Sequence, residues 1–246
     1  MAVQIPKRLR NDPLIEALWE IRFSSDHSPV IELLPGMLFK ELRGSYGKLV
    51  RLPAANIPHP IAERDEKLRY VPTVRLESEP FSIQIGERVV SLSCRRPYVG
   101  WHGFSKQILK LAKLLEGTGL ITQPERFSLK YTNLLDLKVQ PSLSYLNVKL
   151  TIGEHDIAER PVQLRTEIEQ AGFIQILQIA SPAQVQIVSG ELFNGTLLDI
   201  DTIKNAEKDD FWQTLNTKMK KAHDRSKQLF FQILVKDTLE KLEPEY

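Results

Sequence analysis

The chain has 246 residues, 42% hydrophobic and 26% charged, with a formal net charge of +2. That length fits one large domain or two small ones, and the balanced charge excludes a uniformly basic nucleic-acid binder, so any such surface is a local patch. Cys94 is the single cysteine, which excludes an intramolecular disulfide.

The opening Met1–Pro6 is too short for a secretory core, and with the cysteine usage it points to the cytoplasm. No apolar run approaches the roughly 20 residues of a membrane span. Lys7 to Pro13 is polar and reads as a loose entry segment. Ala17–Phe23 then alternates, with Trp19, Ile21 and Phe23 on one face and Glu20 and Arg22 on the other, the pattern of a half-buried strand. Pro35 is predicted to open a short helix through Arg43, ended by Gly44 and Gly47. Residues 52–62 hold Pro53, Pro58 and Pro60 and read as a loop or edge. Strands follow at Thr73–Glu77, Phe81–Ile85 and Val89–Arg95, with a hairpin turn at Gly86-Glu87-Arg88. Phe104–Leu115 is helical: Ile108, Leu111, Ala112 and Leu115 share a stripe, and Gly117 and Gly119 stop it. Arg126–Asp136 is a long strand.

Pro141 marks the passage to a second half. Strands are predicted at Tyr145–Ile152, Val162–Gln170, Phe173–Ala180 and Val185–Val188, with turns at Gly153, Ala171-Gly172 and Ser181-Pro182. Asn194-Gly195 signals a hairpin before a strand Thr196–Ile203. Asp209 or Asp210 is the expected cap of a last helix running to about Leu239, with an apolar stripe from Phe211 to Ile233. At 1.5 Å per residue, about 30 residues span roughly 45 Å. The expected fold is therefore α+β: two antiparallel sheet-plus-helix halves, 1–140 and 141–246, built as two sheets or as one continuous curved sheet, with the order of elements suggesting a pseudo-repeat.

Two segments carry a resemblance. Asn11-Asp12-Pro13-Leu14-Ile15-Glu16-Ala17-Leu18-Trp19-Glu20-Ile21-Arg22-Phe23 resembles the opening of a sporadically distributed prokaryotic family of about this length. Arg126-Phe127-Ser128-Leu129-Lys130-Tyr131-Thr132-Asn133-Leu134-Leu135-Asp136 is similar to that family's central strand, and Phe211-Trp212 with His223 and Phe230 to its closing helix. The resemblance carries no settled activity. The family's patchy occurrence implies mobile genes, such as defence or toxin–antitoxin cargo.

The chemistry-bearing patterns are sparse. Glu167 and Glu169, like Glu77 and Glu79, alternate along a strand and share a face. Triphosphate-tunnel enzymes hold a divalent cation with such pairs and grip phosphate with neighbouring bases, here Arg75, Arg165, Lys130 and Lys149. The further acid and lysine of that pattern are replaced by Gln170 and Ala171, and alternating acids are the ordinary look of a solvated sheet face. Asp199 and Asp201, near Asp209-Asp210 and Lys204, match no nuclease spacing; turn and capping roles suit them better. His27, His59, His102, His155 and His223 include no metal-binding pair in sequence, Cys94 beside His102 reads as a buried thiol, and no Gly-x-Ser-x-Gly occurs. Arg95 and Arg96 end a strand ahead of Trp101, a combination that grips phosphate and bases or anchors a protein interface; packing of Trp101 against the sheet is the competing role. Lys218, Lys221 and Arg225 fall within roughly 60° of one another on the last helix, a phosphate-contacting ridge or a solvated face.

These residues point to a non-catalytic protein that binds a protein partner through sheet faces, edges or the aromatic–arginine patch, without cofactor or metal. The implied setting is a regulatory or neutralising component of a mobile system. Nucleic-acid binding through Arg95, Arg96 and the terminal ridge is the alternative, and a tunnel-type phosphohydrolase the third reading. Oligomeric state is left open.

Overall fold

The structure is a computed structural model that describes residues 5–26, 29–137, 140–186, 190–207 and 210–246, and all of these but the side chain of His59. In chain order, β1 (Arg8–Leu9) and β2 (Leu14–Ser24) precede α1 (Val30–Leu42) and β3 (Lys48–Arg51). A 3-10 turn at Pro53–Asn56 and α2 (His59–Arg64) lead to β4 (Val74–Ser78), β5 (Phe81–Ile85) and β6 (Val89–Arg95). Then come α3 (Gly100–Thr118), β7 (Gln123–Leu135), the short hairpin β8 (Thr151–Ile152) and β9 (His155–Asp156), and the strands β10 (Val162–Gln170), β11 (Phe173–Gln186) and β12 (Leu192–Asn205). The chain closes with α4 (Phe211–Ile233), α5 (Lys236–Lys241) and β13 (Pro244–Glu245). Nine strands form one antiparallel sheet in the order β10-β11-β12-β7-β2-β6-β5-β4-β3. The α+β class is as expected, and of the two arrangements foreseen the single continuous sheet is the one realised.

Contacts divide the chain into a central unit, Glu16–Leu129 with Ile203–Lys220, and a terminal unit, Met1–Ile15 with Lys130–Thr202 and Lys221–Tyr246. In the central unit the alternation of β2 is realised fully. Trp19, Ile21 and Phe23 are completely buried, and the β6 residues opposite Trp19 and Ile21 are Leu92 and Val90. Ile83 and Ile85 continue the apolar face across β5. The helical stripe Ile108, Leu111 and Leu115 is buried as predicted. Helix α1 departs from expectation: Pro35 lies inside it rather than opening it. Val30, Leu34, Leu38 and Leu42 recur every four residues on a buried face, which carries the helix through the proline. The proline-rich stretch also folds further than expected, into the 3-10 turn and α2, with prolines at the first turns where no amide donor is needed.

In the terminal unit β10 and β11 pair over nine residues around the two-residue turn Ala171-Gly172, at φ 48° and 76°. Two left-handed residues in succession give the hairpin turn whose twist matches the strands. The predicted turn at Ser181-Pro182 does not form. Strand β11 runs through it to Gln186, and the Ser181 hydroxyl lies 2.9 Å from that of Thr196 on β12. The predicted strand Val185–Val188 is thus partly the end of β11, and Ile187 and Val188 lie outside the described residues. Nor does Asn194-Gly195 make a hairpin: it sits within β12. A Cβ on Gly195 would stand 2.5 Å from the Leu135 carbonyl oxygen, so this glycine serves close strand approach rather than a turn.

The segment predicted as a strand from Tyr145 to Ile152 is a 3-10 turn at Leu143–Tyr145 and then the brief β8. It also shortens the last helix. Leu146 bridges Leu234, the Asn147 amide donates to Ile233 O at 2.5 Å, and Thr238 Oγ1 donates to Tyr145 O at 2.8 Å. The Asn147 bond satisfies the last carbonyl of α4, and the chain restarts as α5, in place of one helix to Leu239. The core beneath contains Leu177, Ile179, Leu198, Ile200, Phe230 and Phe231. A buried polar chain ties α4 to the strands: Gln175 donates to Thr202 Oγ1 at 3.3 Å, and the Thr202 and Ser226 hydroxyls are 2.7 Å apart. At the start of α4, Thr214 N donates to Asp210 O at 3.0 Å, while Asp209 lies outside the described residues.

Candidate functional site

The central unit holds a cleft of about 620 Å³ between α1, β3, β4 and the segments after β3. Its construction starts at Glu87 in the β5–β6 turn. That carboxylate accepts the Val30 and Ile31 amides at 3.0 and 3.1 Å, standing in for an N-cap at a helix whose own preceding residue is Pro29. Anchored in this way, α1 turns Ile31 and Pro35, four apart, into the cleft. Leu49 of β3 and Val74 of β4 line the sheet side, and Ala55 and Ile57 come from the proline-rich stretch. The segment before β4 is fixed by Asp65, whose carboxylate accepts the Lys67 amide at 2.8 Å, and by Thr73 N donating to Ile85 O at 2.9 Å. Gly86 permits its approach: a Cβ there would meet Val71 O at 2.7 Å.

The lining is mostly apolar, with Glu32, Arg51, Arg69, Thr73 and Glu87 as its polar members. The buried Thr73 hydroxyl makes no hydrogen bond. Arg69 is committed to Glu63 O at 3.2 Å and Glu87 to the helix, whereas Arg51 is exposed. Leu49 is 43% exposed although it sits in a strand. Strand β3 is the last in its sheet, so among the described residues one row of its backbone groups has no strand partner. Such a site can hold apolar side chains and offer main-chain hydrogen bonds. Sequence reading missed it because three prolines in eleven residues argue for a loop. The usable signal was the run of small and apolar residues among them, Ala54, Ala55 and Ile57.

The charged face of β2 and its neighbours closes on itself. Glu20 Oε1 accepts Arg22 Nε at 2.7 Å and Arg126 Nη2 at 3.3 Å. Arg22 lies 4.5 Å over the Tyr70 ring, and the Tyr70 hydroxyl donates to Glu125 at 2.7 Å. Burial, then that carboxylate, push the Tyr70 phenol up from its ordinary value. Glu77 pairs with Lys48 at 2.9 Å and with Arg75; chiefly the Lys48 hydrogen bond holds it below the usual carboxylate range.

The six predicted contact residues divide in the same way. Arg95 Nε is 3.5 Å from Glu16 Oε1 at the end of β6. Arg96 is exposed, and Trp101 is half-buried in the first turn of α3. Lys218 is bound by Glu207 at 3.0 Å and Asp210 at 3.3 Å. Lys204 joins Glu207 at 3.0 Å, and hydrogen bonds from Lys204 and then Lys218 hold that carboxyl below its usual value. Lys221 is exposed. Arg225 lies 5.4 Å over the Phe173 ring and donates to Gln170 at 3.2 Å.

The other candidates are dispersed over the fold. Glu167 pairs with Arg165 at 2.7 Å on an exposed strand. Asp199 is neither a turn nor a cap residue: it is buried on β12, accepting from Lys130 Nζ at 2.9 Å and Thr132 Oγ1 at 3.2 Å. His223 meets the Tyr131 hydroxyl at 3.0 Å, and burial, then Lys227, lower its pKa to about 4. Cys94 is buried, with its thiol raised mainly by desolvation, while His102 is exposed. His155 is exposed; His27 and the side chain of His59 lie outside the described residues. Among the described residues no group of three or more His, Cys, Asp or Glu is placed to hold a metal, and no helix is long and apolar enough to cross a membrane. No protein-family model matches the chain, and no curated protein matches it.

Proposed function

We propose that the protein is a non-catalytic binding component that takes an extended, apolar segment of a protein partner into the cleft beside β3. The observation that carries this is the pairing of an apolar cleft with an unpartnered edge strand in the same unit. A strand laid against β3 gains main-chain hydrogen bonds, and its alternate side chains reach the cleft past Leu49. Exposed Arg51 favours an acidic residue in that segment. The resemblance to a sporadically distributed family adds the setting: a regulatory or neutralising component of a mobile prokaryotic defence or toxin–antitoxin-like system, with its partner encoded nearby.

Phage-displayed random peptides selected on the protein, followed by calorimetry on the selected sequences, test the reading. The expected winners alternate apolar residues and carry an acid, and Leu49→Asp weakens them about tenfold or more while the melting temperature holds. Full binding by Leu49→Asp, or selection that yields no such peptide, sinks the proposal.

A further inference from the structure

We infer that β10 is a self-complementary edge through which two copies of this chain join their sheets, antiparallel, about a two-fold axis at Thr166. This rests on the terminal unit alone and stands apart from the cleft at β3. Strand β10 ends the nine-stranded sheet on the other side, pairs among the described residues with β11 alone, and runs regularly for nine residues. It contains no proline and its pairing shows no bulge, two of the devices that blunt an edge; the charges it does carry, Arg165, Glu167 and Glu169, are of both signs.

The hairpin geometry tells which backbone groups face outward. Gln170 and Phe173 flank the two-residue turn and form its hydrogen-bonded pair. Alternation along an antiparallel ladder then directs the even positions toward β11 and leaves Gln163, Arg165, Glu167 and Glu169 with amides and carbonyls pointing away. A second β10 must therefore pair odd position with odd position. Three central registers satisfy this. A two-fold at Arg165 sets arginine against arginine, and one at Glu167 sets glutamate against glutamate. A two-fold at Thr166 sets Arg165 against Glu167 of the other copy, twice by symmetry, and Gln163 against Glu169.

The same register matches the opposite face. It places Leu164 against Ile168 of the other copy. Leu164 and Val162 are only partly buried against the core of the unit, and Ile168 is 37% exposed. The Arg165–Glu167 pair within one chain is itself exposed, at 55% and 50%, so exchanging it for the same pair across the axis adds little desolvation. One strand pair is a small interface, and the dimer is expected to depend on concentration.

Light scattering behind size exclusion should give a mass rising from 28.2 kDa toward twice that value with concentration. Glu167→Pro removes an outward amide and should return the monomer mass. Arg165→Glu should do the same by repulsion, and Arg165→Glu with Glu167→Arg should restore the dimer. Should the proline variant misfold, Thr166→Cys gives an independent readout. The axis sets the two 166 residues opposite each other at about 4.5 Å between Cα atoms, in disulfide range. Oxidation should then yield a cross-linked dimer, and Ile168→Cys much less of one. A monomer at every soluble concentration with no Thr166→Cys cross-link overturns the inference, as does a dimer that survives Arg165→Glu.

Discussion

His223 carries the clearest pH dependence of any single residue. In the fold its ring is neutral and half-buried, against Tyr131 of β7 and near Lys227 of α4, and desolvation lowers its pKa to about 4 from an ordinary 6.5. The unfolded chain therefore takes up a proton first as pH falls, and stability declines from about pH 6.5 until it levels off below about pH 4. At 1.36 kcal/mol per pH unit this amounts to about 3 kcal/mol. Urea unfolding across that range should show the loss in the wild type, and His223→Gln, which keeps a polar partner for Tyr131, should lack this share of the slope. Equal slopes would mean the ring is solvated. His223 stands four residues after Met219 on the helical stripe, a spacing that His102 and His155 lack, but that spacing alone does not show how deeply the ring is covered. Burial comes from what α4 packs on, whereas Trp19, Ile21 and Phe23 declared their burial through strict alternation.

At the scale of elements, Gly195 shows how a short-range signal can mislead. Asn-Gly favours the left-handed pair of a hairpin turn, yet β12 passes straight through it because β7 approaches closely there. Gly195→Ala should cost about 1–3 kcal/mol by forcing the two strands apart, read as a lower urea midpoint with unchanged slope. An unaltered midpoint would deny the close approach. Pro35 and the end of α4 follow the same logic. A buried four-residue spacing outweighs a proline inside α1, and bonding from residues 145–147 ends α4 where its periodicity alone would have continued.

At the scale of the molecule, much of the charge foreseen as a ridge on α4 is cancelled by neighbours. Lys218 is held by two carboxylates and Arg225 by Phe173 and Gln170, which leaves Lys221 as the exposed member of the ridge foreseen on α4. Nucleic-acid binding should accordingly be weak. Replacing all three with glutamate should lower its salt slope by about one counterion rather than about three. Binding of RNA and DNA by wild type and triple variant at two salt concentrations checks this. Tight wild-type binding that vanishes in the folded variant would favour the nucleic-acid reading instead.

The sequence by itself determined the class of the fold, the positions of β2, β5, β6, β10 and α3, and the burial of Trp19, Ile21, Phe23, Ile108, Leu111 and Leu115, because each follows from the period of apolar residues along a few turns or one strand. It determined equally that no familiar constellation of nucleophile or metal ligands is written into neighbouring positions. The order of the nine strands, the identity of β3 and β10 as edges, and the cleft that α1 forms with the proline-rich stretch belong to the tertiary structure alone. Strand order is set by pairings between residues far apart in sequence, and a strand reads the same to its own neighbours whether its outer edge is covered or bare.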